Sequence, residues 1–339
     1  MADSYNIAIV GATGAVGGVI LRLLEERRFP AKSVRVLASE RSAGQTLPFA
    51  GDRLAVEELT ADSFAGVDIA LFSAGGSRSK EFAPAAVCAG AVVIDNSSAF
   101  RMDPAVPLVV PEVNPDDLKW HEGIIANPNC STIQMVVALQ PIHDAVGINR
   151  VVVTTFQSVS GTGNKAIEEL FAQSEAVLAA GEVAVNVYPH QIAFNVLPHI
   201  EHFLDNGYTN EEVKMINETR KIFGAPEMKV TATCVRVPVF NSHSEAVNIQ
   251  TLRPISVEEV RRLMLATPGV ILQDDPATLS YPMPLTAEGT NDVYVGRIRA
   301  DESAENSLNL WVVSDNLRKG AAANAVQIAE YLVAHGLLE

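Results

Sequence analysis

A cysteine at the start of a helix is the arrangement in this sequence most suited to chemistry. The segment NPNCST (residues 127–132) ends an apolar strand and opens the apolar helical run TIQMVVALQPIHDAV. At such a position the backbone N–H groups and the positive end of the helix dipole stabilise a thiolate. We therefore expect Cys130 to be a nucleophile. Cys88 and Cys234 have apolar neighbours and suggest small buried residues, which is also the alternative for Cys130.

A thiol nucleophile needs a group that moves its proton, and His243 is the candidate. It lies in the segment RVPVFNSHSE (residues 236–245), after a predicted strand end. Among such polar residues an imidazole can titrate near neutral pH. His199 and His202, in LPHIEHF, resemble a weak metal pair, but the sequence offers no third ligand nearby. We predict no metal site.

The second arrangement suited to chemistry is the glycine-rich turn GATGAVG (residues 11–17), which follows the apolar strand YNIAIV. Glycines let the backbone turn sharply and approach a pyrophosphate, whose charge is then stabilised by the N-terminus of the next helix. The spacing is GxxGxxG rather than the commoner GxGxxG, so a purely structural turn is the alternative. We predict cofactor contacts from Gly11, Thr13, Gly14, Ala15 and Val16.

The end of the second predicted strand indicates which dinucleotide is bound. An NAD-binding chain usually carries Asp or Glu there to hold the ribose hydroxyls. This chain reads LASERSAG (residues 37–44), in which Arg41, with Ser39 and Ser42, can surround a 2′-phosphate. Glu40 leaves NAD open, because a carboxylate there could accept the ribose hydroxyls. NADP is the cofactor favoured.

The pattern of strands and helices predicts two domains. Residues 5–126 alternate short apolar strands with helical stretches, as repeated βαβ units do. Strands such as IAIV are apolar throughout, which is expected when helices cover both faces of a parallel sheet. After Cys130, period-2 segments such as KVTATCVRV indicate a half-buried, largely antiparallel sheet. We predict an α/β chain: a Rossmann-type doubly wound parallel sheet domain, residues 1–128 with a C-terminal helix at 317–339, and an α+β catalytic domain, residues 129–316.

Composition narrows the class of protein further. The chain has 339 residues, a net charge of −15 and three widely spaced cysteines. So acidic a surface disfavours nucleic acid and anionic lipid, and an odd number of cysteines fits no disulfide framework. No apolar run approaches the roughly 20 residues that cross a bilayer, and the N-terminus lacks the positive charge of a signal peptide. We expect a cytoplasmic protein with a small-molecule substrate and neither a nucleic-acid nor a membrane partner.

Eight segments, taken in order along nearly the whole chain, resemble bacterial aspartate-semialdehyde dehydrogenases. They are GATGAVG, NSSAFR, PEVN, NPNCST, QSVSGTG, EEVKMINETRKI, RVPVFNSHSEAV and SDNLRKGAA. Each segment alone is weak evidence, whereas eight in this order are specific. The resemblance implies that Cys130 forms an acyl thioester, that His243 is the general acid/base and that Gln157 helps to orient the substrate beside the thiol.

The resemblance also implies binding residues. Arg236 is similar to an arginine that clamps the substrate α-carboxylate, a task for which a planar guanidinium is suited. Glu211 is similar to the acid that faces the substrate ammonium, and Lys214 and Arg101 resemble a phosphate-binding pair. From the residues alone, Glu211 and Lys214 would be an ordinary solvated helix pair. The remaining contacts implied are Asn129 with the substrate and Ser160, Gly161 and Asn316 with the cofactor.

The reaction implied is the NADPH-dependent conversion of L-4-aspartyl phosphate to L-aspartate 4-semialdehyde and inorganic phosphate, in the biosynthesis of lysine, threonine and methionine. A homodimer is also implied, with the second domain serving catalysis and dimerisation. One alternative is an N-acetyl-γ-glutamyl-phosphate reductase, which shares the thiol chemistry but resembles a GCYP segment where this chain has NCST (residues 129–132). The other is a non-catalytic relative of the same fold.

Overall fold

A sheet of seven strands forms the centre of the first of two units in the computed structural model, which describes residues 4–338. The unit comprises residues 1–129 and 321–339. Its sheet has the order β3-β4-β2-β1-β5-β6-β7, and every neighbouring pair is parallel except β3 with β4. The predicted doubly wound parallel sheet is therefore confirmed. The strands are β1 (Tyr5–Val10), β2 (Ala31–Ala38), β3 (Thr46–Phe49), β4 (Asp52–Glu58), β5 (Ile69–Phe72), β6 (Val92–Asp95) and β7 (Ile124–Ala126).

Helices and strands of this unit follow the burial pattern of the sequence. All four residues of β5 and of β6 are buried, as they must be in the centre of a sheet covered on both faces. Helix α1 (Ala15–Glu26) connects β1 to β2 along the chain and has a buried apolar face. Helix α2 (Gly76–Cys88) connects β5 to β6.

The hairpin of β3 and β4 is a feature that our sequence analysis missed. Its two-residue turn is Ala50–Gly51, and both residues have positive φ, 50° and 86°. This is the conformation of a type I′ turn, for which Asn-Gly is the usual sequence. Because alanine does not favour positive φ, the Ala-Gly pair gave no clear signal of a hairpin.

The second unit, residues 130–320, contains a mixed sheet of six strands in the order β11-β12-β13-β10-β8-β9. Strand β10 pairs antiparallel with both β8 and β13, and β12 also pairs antiparallel with β13. The pairs β8–β9 and β11–β12 are parallel, which requires a long crossover between the paired strands: two helices lie between β8 and β9, and a mostly irregular segment, residues 273–292, joins β11 to β12. The strands are β8 (Ile148–Gln157), β9 (Lys229–Arg236), β10 (His243–Thr251), β11 (Val270–Leu272), β12 (Val293–Ala300) and β13 (Ser307–Ser314).

One face of this sheet is covered by helices. Helix α3 (Cys130–Val146) contacts β8, β10 and β13, and residues 131–139 of it are all buried. Helix α5 (Asn210–Ile222) contacts β9 and begins after a capping box, in which Thr209 and Glu212 each accept a hydrogen bond from the other's backbone N–H. The remaining helices are α4 (Asn164–Leu178), α6 (Val257–Ala266) and α7 (Pro284–Ala287).

The C-terminal helix α8 (Ala323–His335) belongs to the first unit, where it contacts α1 and β6. Asn324 on this helix donates to the Val109 carbonyl at 3.0 Å and to Asn127 Oδ1 at 2.7 Å. The domain limits 128/129 and 316/317 and the cytoplasmic location stay predictions. Within residues 4–338, no helix has both the length and the apolar character needed to cross a membrane.

Candidate active site

Cys130 is the first residue of α3, as the sequence predicted, and its side chain is half-buried. Gly320 lies against it: a Cβ added to Gly320 would be 2.8 Å from the Cβ of Cys130. The missing side chain at position 320 therefore makes room for the thiol. Partial exposure at the N-terminus of a helix is the environment in which a thiol reacts.

The other two cysteines differ from one another. Cys234 is fully buried in β9, and burial raises the pKa of its thiol far above the ordinary value, so it is inert. Cys88, at the end of α2, is exposed. Our expectation of a buried residue at this position was wrong, because Ala86 of the same turn packs into the core and Cys88 lies on the exposed side of α2.

Gln157 connects the segment that carries Cys130 with helix α5. It is the last residue of β8 and is buried, and its Nε2 donates to Ser131 Oγ at 2.6 Å and to Glu211 Oε1 at 3.0 Å. An amide is neutral at every working pH, so Gln157 itself remains a donor throughout. The residue next to Cys130 is thus held by Gln157.

Glu211 lies in the first turn of α5 and is 5% exposed. Lys214, three residues later, approaches Glu211 Oε2 at 3.4 Å and makes a closer ion pair with Glu201. A solvated helix pair, the alternative from the sequence alone, does not describe Glu211. Its buried carboxylate already lies beside the Lys214 ammonium and the Gln157 amide, and in such surroundings a carboxylate interacts strongly with a further cationic group.

Arg236 is a buried guanidinium with unused hydrogen-bonding capacity. It ends β9 beside Gln157 of β8, is 6% exposed, and donates from Nη1 to the Ser158 carbonyl at 2.6 Å. Its Nε is buried and has no hydrogen-bond partner in the described part of the chain. Since buried donors are nearly always satisfied, this arginine is prepared for an anion such as a carboxylate.

His243 is the first residue of β10 and is completely buried. Its Nδ1 accepts the Ser158 N–H at 3.0 Å, so the neutral ring carries its proton on Nε2, which has no hydrogen-bond partner within residues 4–338. Burial and the nearby Arg236 charge lower the pKa of His243 to about 3. The predicted titration near neutral pH is therefore wrong for the free protein, since the polar neighbours seen in sequence do not expose the ring to water.

A glycine separates these two groups. A Cβ added to Gly161 would lie 3.1 Å from Arg236 Nη1 and 3.4 Å from His243 Nε2. Any side chain at position 161 would therefore press on both groups, and glycine leaves the space beside them free.

Asn316 holds the loop around His243 together. Its Oδ1 accepts hydrogen bonds from Ser158 Oγ at 3.1 Å, Ser160 Oγ at 3.2 Å and the Ser242 N–H at 2.9 Å. Our sequence analysis missed the positioning contacts of Ser131, Ser158 and Ser242, because serines in polar loops give no distinctive pattern. That Asn316, Ser160 and Gly161 contact a cofactor stays a prediction.

In the first unit, the glycine-rich turn has the geometry of a dinucleotide-binding turn. Strand β1 ends at Val10, Gly11 has φ +86°, and α1 begins at Ala15. A Cβ at Gly11 would lie 2.9 Å from the Ser73 carbonyl carbon, and one at Gly17 would lie 2.3 Å from the Gly11 oxygen. Only glycine fits at either place, so the turn packs closely against the backbone of Ser73 and brings the N-terminus of α1, the site suited to a pyrophosphate, directly after β1.

The remaining predicted residues also lie in the first unit. Arg41 is exposed in a short 3-10 helix, residues 40–42, that follows β2. Arg101 is buried and donates to the Asn127 and Asn96 carbonyls at 2.9 and 2.7 Å, while Asn129 is 6% exposed. Among residues 4–338, no group of three or more His, Cys, Asp or Glu could hold a metal ion.

The low pKa of His243 makes the stability of the protein depend on pH. In the unfolded chain this imidazole takes up a proton below about pH 6.5, whereas in the folded protein it stays neutral down to about pH 3. The unfolded state therefore gains a proton in this window, and stability is lost as the pH falls through it.

We expect the wild type to lose up to about 1.4 kcal/mol per pH unit in this window, relative to His243→Gln, on urea unfolding between pH 7 and pH 4. His190→Gln, at an exposed position, is the control and should follow the wild type. Parallel curves for wild type and His243→Gln would show that His243 titrates normally.

The glycine turn of the first unit is typical of dinucleotide-dependent oxidoreductases, and the second unit adds a half-buried thiol at a helix start, a buried imidazole and a buried guanidinium, which defines the class as oxidoreductases of the thiol-dependent kind. Comparison with known families agrees. The family described as "Semialdehyde dehydrogenase, NAD binding domain" matches residues 6–121, and "Semialdehyde dehydrogenase, dimerisation domain" matches residues 139–319.

Individual relatives identify the family within this class. The aspartate-semialdehyde dehydrogenase of Aquifex aeolicus is 58% identical over an alignment of 338 residues that covers 98% of this chain and 99% of the relative. A crystal structure of aspartate semialdehyde dehydrogenase II from Vibrio cholerae, complexed with ASA, is 51% identical with a TM-score of 0.96, covering 98% and 99% of the two chains. The Candida albicans enzyme, solved with NADP, is 27% identical with a TM-score of 0.78, covering 99% and 100%. The chain belongs to the aspartate-semialdehyde dehydrogenase family.

Proposed function

We propose that this chain catalyses the reversible, NADPH-dependent reductive dephosphorylation of L-4-aspartyl phosphate to L-aspartate 4-semialdehyde. The observation that carries the proposal is the half-buried Cys130 at the start of α3, held by Ser131 and Gln157. In the same unit, Arg236 and His243 keep unused polar atoms for a substrate. This arrangement suits a small anionic acyl phosphate.

The chemistry begins at Cys130. Its thiolate attacks the acyl carbon of aspartyl phosphate, a C–S bond forms, the C–O bond to phosphate breaks, and inorganic phosphate leaves. NADPH, when bound, supplies the hydride that reduces the acyl group. The tetrahedral oxyanion that results accepts a hydrogen bond from the Nε2–H of His243, which has no other partner in the described residues, and it collapses to the aldehyde as the C–S bond breaks and the Cys130 thiolate leaves.

Buried charged residues recognise the amino and carboxylate groups of the substrate. Arg236 binds the α-carboxylate with its planar fork, Glu211 receives the ammonium, and Gln157 orients the acyl group beside the thiol. Lys214, Arg101 and Asn129 bind the phosphate and the neighbouring substrate atoms. Support for Arg236 and Glu211 comes from their burial, 6% and 5% exposed, which strengthens charge interactions with a ligand.

The first unit suits a dinucleotide because its glycine turn places the N-terminus of α1 directly after β1, where a pyrophosphate is stabilised. Arg41 accounts for a preference for NADP, since it is exposed at the end of β2 with Ser39 and Ser42. The proposed cofactor contacts are Gly11, Thr13, Gly14, Ala15, Val16, Ser39, Arg41 and Ser42 in the first unit, with Ser160, Gly161 and Asn316 in the second.

One assay tests the function directly. With aspartate semialdehyde and NADP, the protein should reduce NADP only when inorganic phosphate is present, because phosphate must release the acyl group from Cys130. N-acetylglutamate semialdehyde should give no reduction, since its acetylated amine carries no charge and cannot form an ion pair with the buried Glu211. Activity with the acetylated substrate alone would favour the N-acetyl-γ-glutamyl-phosphate reductase, and no activity with either would favour a non-catalytic relative.

Replacement of Arg41 tests the cofactor preference. Arg41→Ala should weaken NADPH binding by about 1.5 to 3 kcal/mol, or roughly ten- to a hundredfold, and leave NADH binding nearly unchanged, because only NADPH carries the 2′-phosphate. Dissociation constants from fluorescence titration measure this. Arg53→Ala, on the exposed β4, is the control. An equal loss for both cofactors would refute the role of Arg41.

We also propose that the chain is a homodimer. The face of the second sheet opposite α3 is only half-buried and carries Phe156 and Trp311 in contact, with ring centroids 5.5 Å apart. A second copy of this chain, placed on that face, would remove this apolar surface from water. The family description of residues 139–319 as a dimerisation domain supports the proposal.

Thr154→Arg, on the same half-buried face of β8, should shift the mass measured by light scattering from dimer to monomer. A charged side chain would be desolvated in the interface at a cost of several kcal/mol. Thr46→Arg, in the first unit, should leave the dimer intact. A Thr154→Arg protein that remains dimeric would place the interface elsewhere.

A further inference from the structure

Glu245 is a fully buried carboxyl that the reaction described above does not use. It follows His243 by two residues on β10, so the two side chains lie on the same face of the strand, and both are 0% exposed. Neither carboxyl oxygen of Glu245 has a partner at hydrogen-bonding geometry within residues 4–338. A group this costly to bury calls for a reason other than packing.

Gln134 is the polar residue beside this carboxyl. It lies four residues after Cys130 on α3, one turn along the same side of the helix, and is 0% exposed. Its Nε2 donates to the His243 carbonyl at 3.4 Å, and its Oε1 has no partner in the described residues. Through this amide, the helix that starts with Cys130 is hydrogen-bonded to the strand that starts with His243.

The protonation of Glu245 fits a role as hydrogen-bond donor. Burial raises the pKa of its carboxyl well above the ordinary value, and the neighbouring Gln134 amide opposes this only in part. Burial therefore favours the neutral acid over the carboxylate. A carboxylic acid has an O–H to donate and an oxygen to accept, and the side-chain amide of its neighbour Gln134 offers both an acceptor and a donor.

We propose that Glu245 is a positioning residue: through Gln134 it holds the first turn of α3 against the start of β10 and so fixes Cys130 relative to His243. The inference rests on the proposed function, because it assigns Cys130 and His243 to one reaction. Glutamine at position 245 would also be neutral and could also donate to Gln134, whereas alanine would leave the Gln134 amide without that contact.

Three variants and one control test the proposal. Glu245→Ala should lower kcat about ten- to a hundredfold, with little change in KM, since small misplacements of reacting groups cost that much. It should also change the rate at which iodoacetamide alkylates Cys130. Glu245→Gln should restore both to near wild type, and Gln134→Leu should reproduce Glu245→Ala. Val247→Ala, on the same buried face, is the control and should lower Tm but neither kcat nor the alkylation rate.

The results separate the possibilities. Equal losses of kcat in Glu245→Ala and Val247→Ala would show that Glu245 contributes only to packing of the core, and would overturn the proposal. A kcat of Glu245→Gln as low as that of Glu245→Ala would also overturn the proposal. It would mean that the reaction needs the titratable proton of the carboxyl and not a neutral hydrogen-bonding group at this position. If Glu245→Ala does not fold, Gln134→Leu decides in the same way. Alkylation of Cys130 is measured without substrate. If the wild type is alkylated at Cys130 but does not convert aspartate semialdehyde, the proposed function is wrong and the positioning role of Glu245 is judged from the alkylation rates alone.

Discussion

Cys130→Ser should abolish turnover while the protein keeps its fold and its affinity for NADPH. A hydroxyl at this position is a far weaker nucleophile than a thiolate, and the imidazole of His243 is too weak a base to activate it. We expect kcat to fall by on the order of a thousandfold or more, as losses of a covalent nucleophile do. Steady-state kinetics with aspartate semialdehyde and phosphate, beside a fluorescence titration of NADPH, measure both parts.

Alkylation identifies the reactive thiol independently of turnover. Limiting iodoacetamide should label Cys130 with a proportional loss of activity, and NADP with phosphate should slow the labelling. Because Cys88 is exposed, the experiment belongs in a Cys88→Ser background, which should be fully active. Cys234 should remain unlabelled until the protein unfolds. An acyl adduct trapped on any residue other than Cys130 would contradict the mechanism.

Arg236→Lys should lose most activity although the positive charge remains. A lysine ammonium cannot form two parallel hydrogen bonds to a carboxylate, and it also cannot keep the Nη1 contact with the Ser158 carbonyl while reaching a ligand. The loss of a charge-assisted hydrogen bond costs about 1.5 to 3 kcal/mol, so kcat/KM for aspartate semialdehyde should fall roughly ten- to a hundredfold.

The matched control for this change is Arg220→Lys on α5, whose guanidinium also donates to a single backbone carbonyl, that of Met228 at 2.8 Å. It should retain wild-type kinetics. Thermal unfolding of both variants shows whether the fold is kept. Near-normal turnover by Arg236→Lys would mean that this arginine does not bind the α-carboxylate.

Sequence by itself determined the features that depend on local order. The strand, turn and helix around Gly11 and the placement of Cys130 at a helix start follow from residues adjacent in the chain. The doubly wound parallel sheet follows in the same way, since apolar strands alternating with amphipathic helices bury their faces in few other arrangements. For the roles of Gln157, Glu211 and Arg236, the sequence supplied only a resemblance.

Tertiary structure decided the features that depend on residues distant in the chain. It decided that His243 is neutral, because the ring is buried near Arg236 and accepts a hydrogen bond from Ser158. The parallel pairing of β8 with β9 likewise depends on the path of the chain between them. Burial and charge are properties of surroundings assembled in three dimensions, so a pattern of neighbours in sequence cannot give the pKa of an imidazole or the partners of a buried carboxyl such as Glu245.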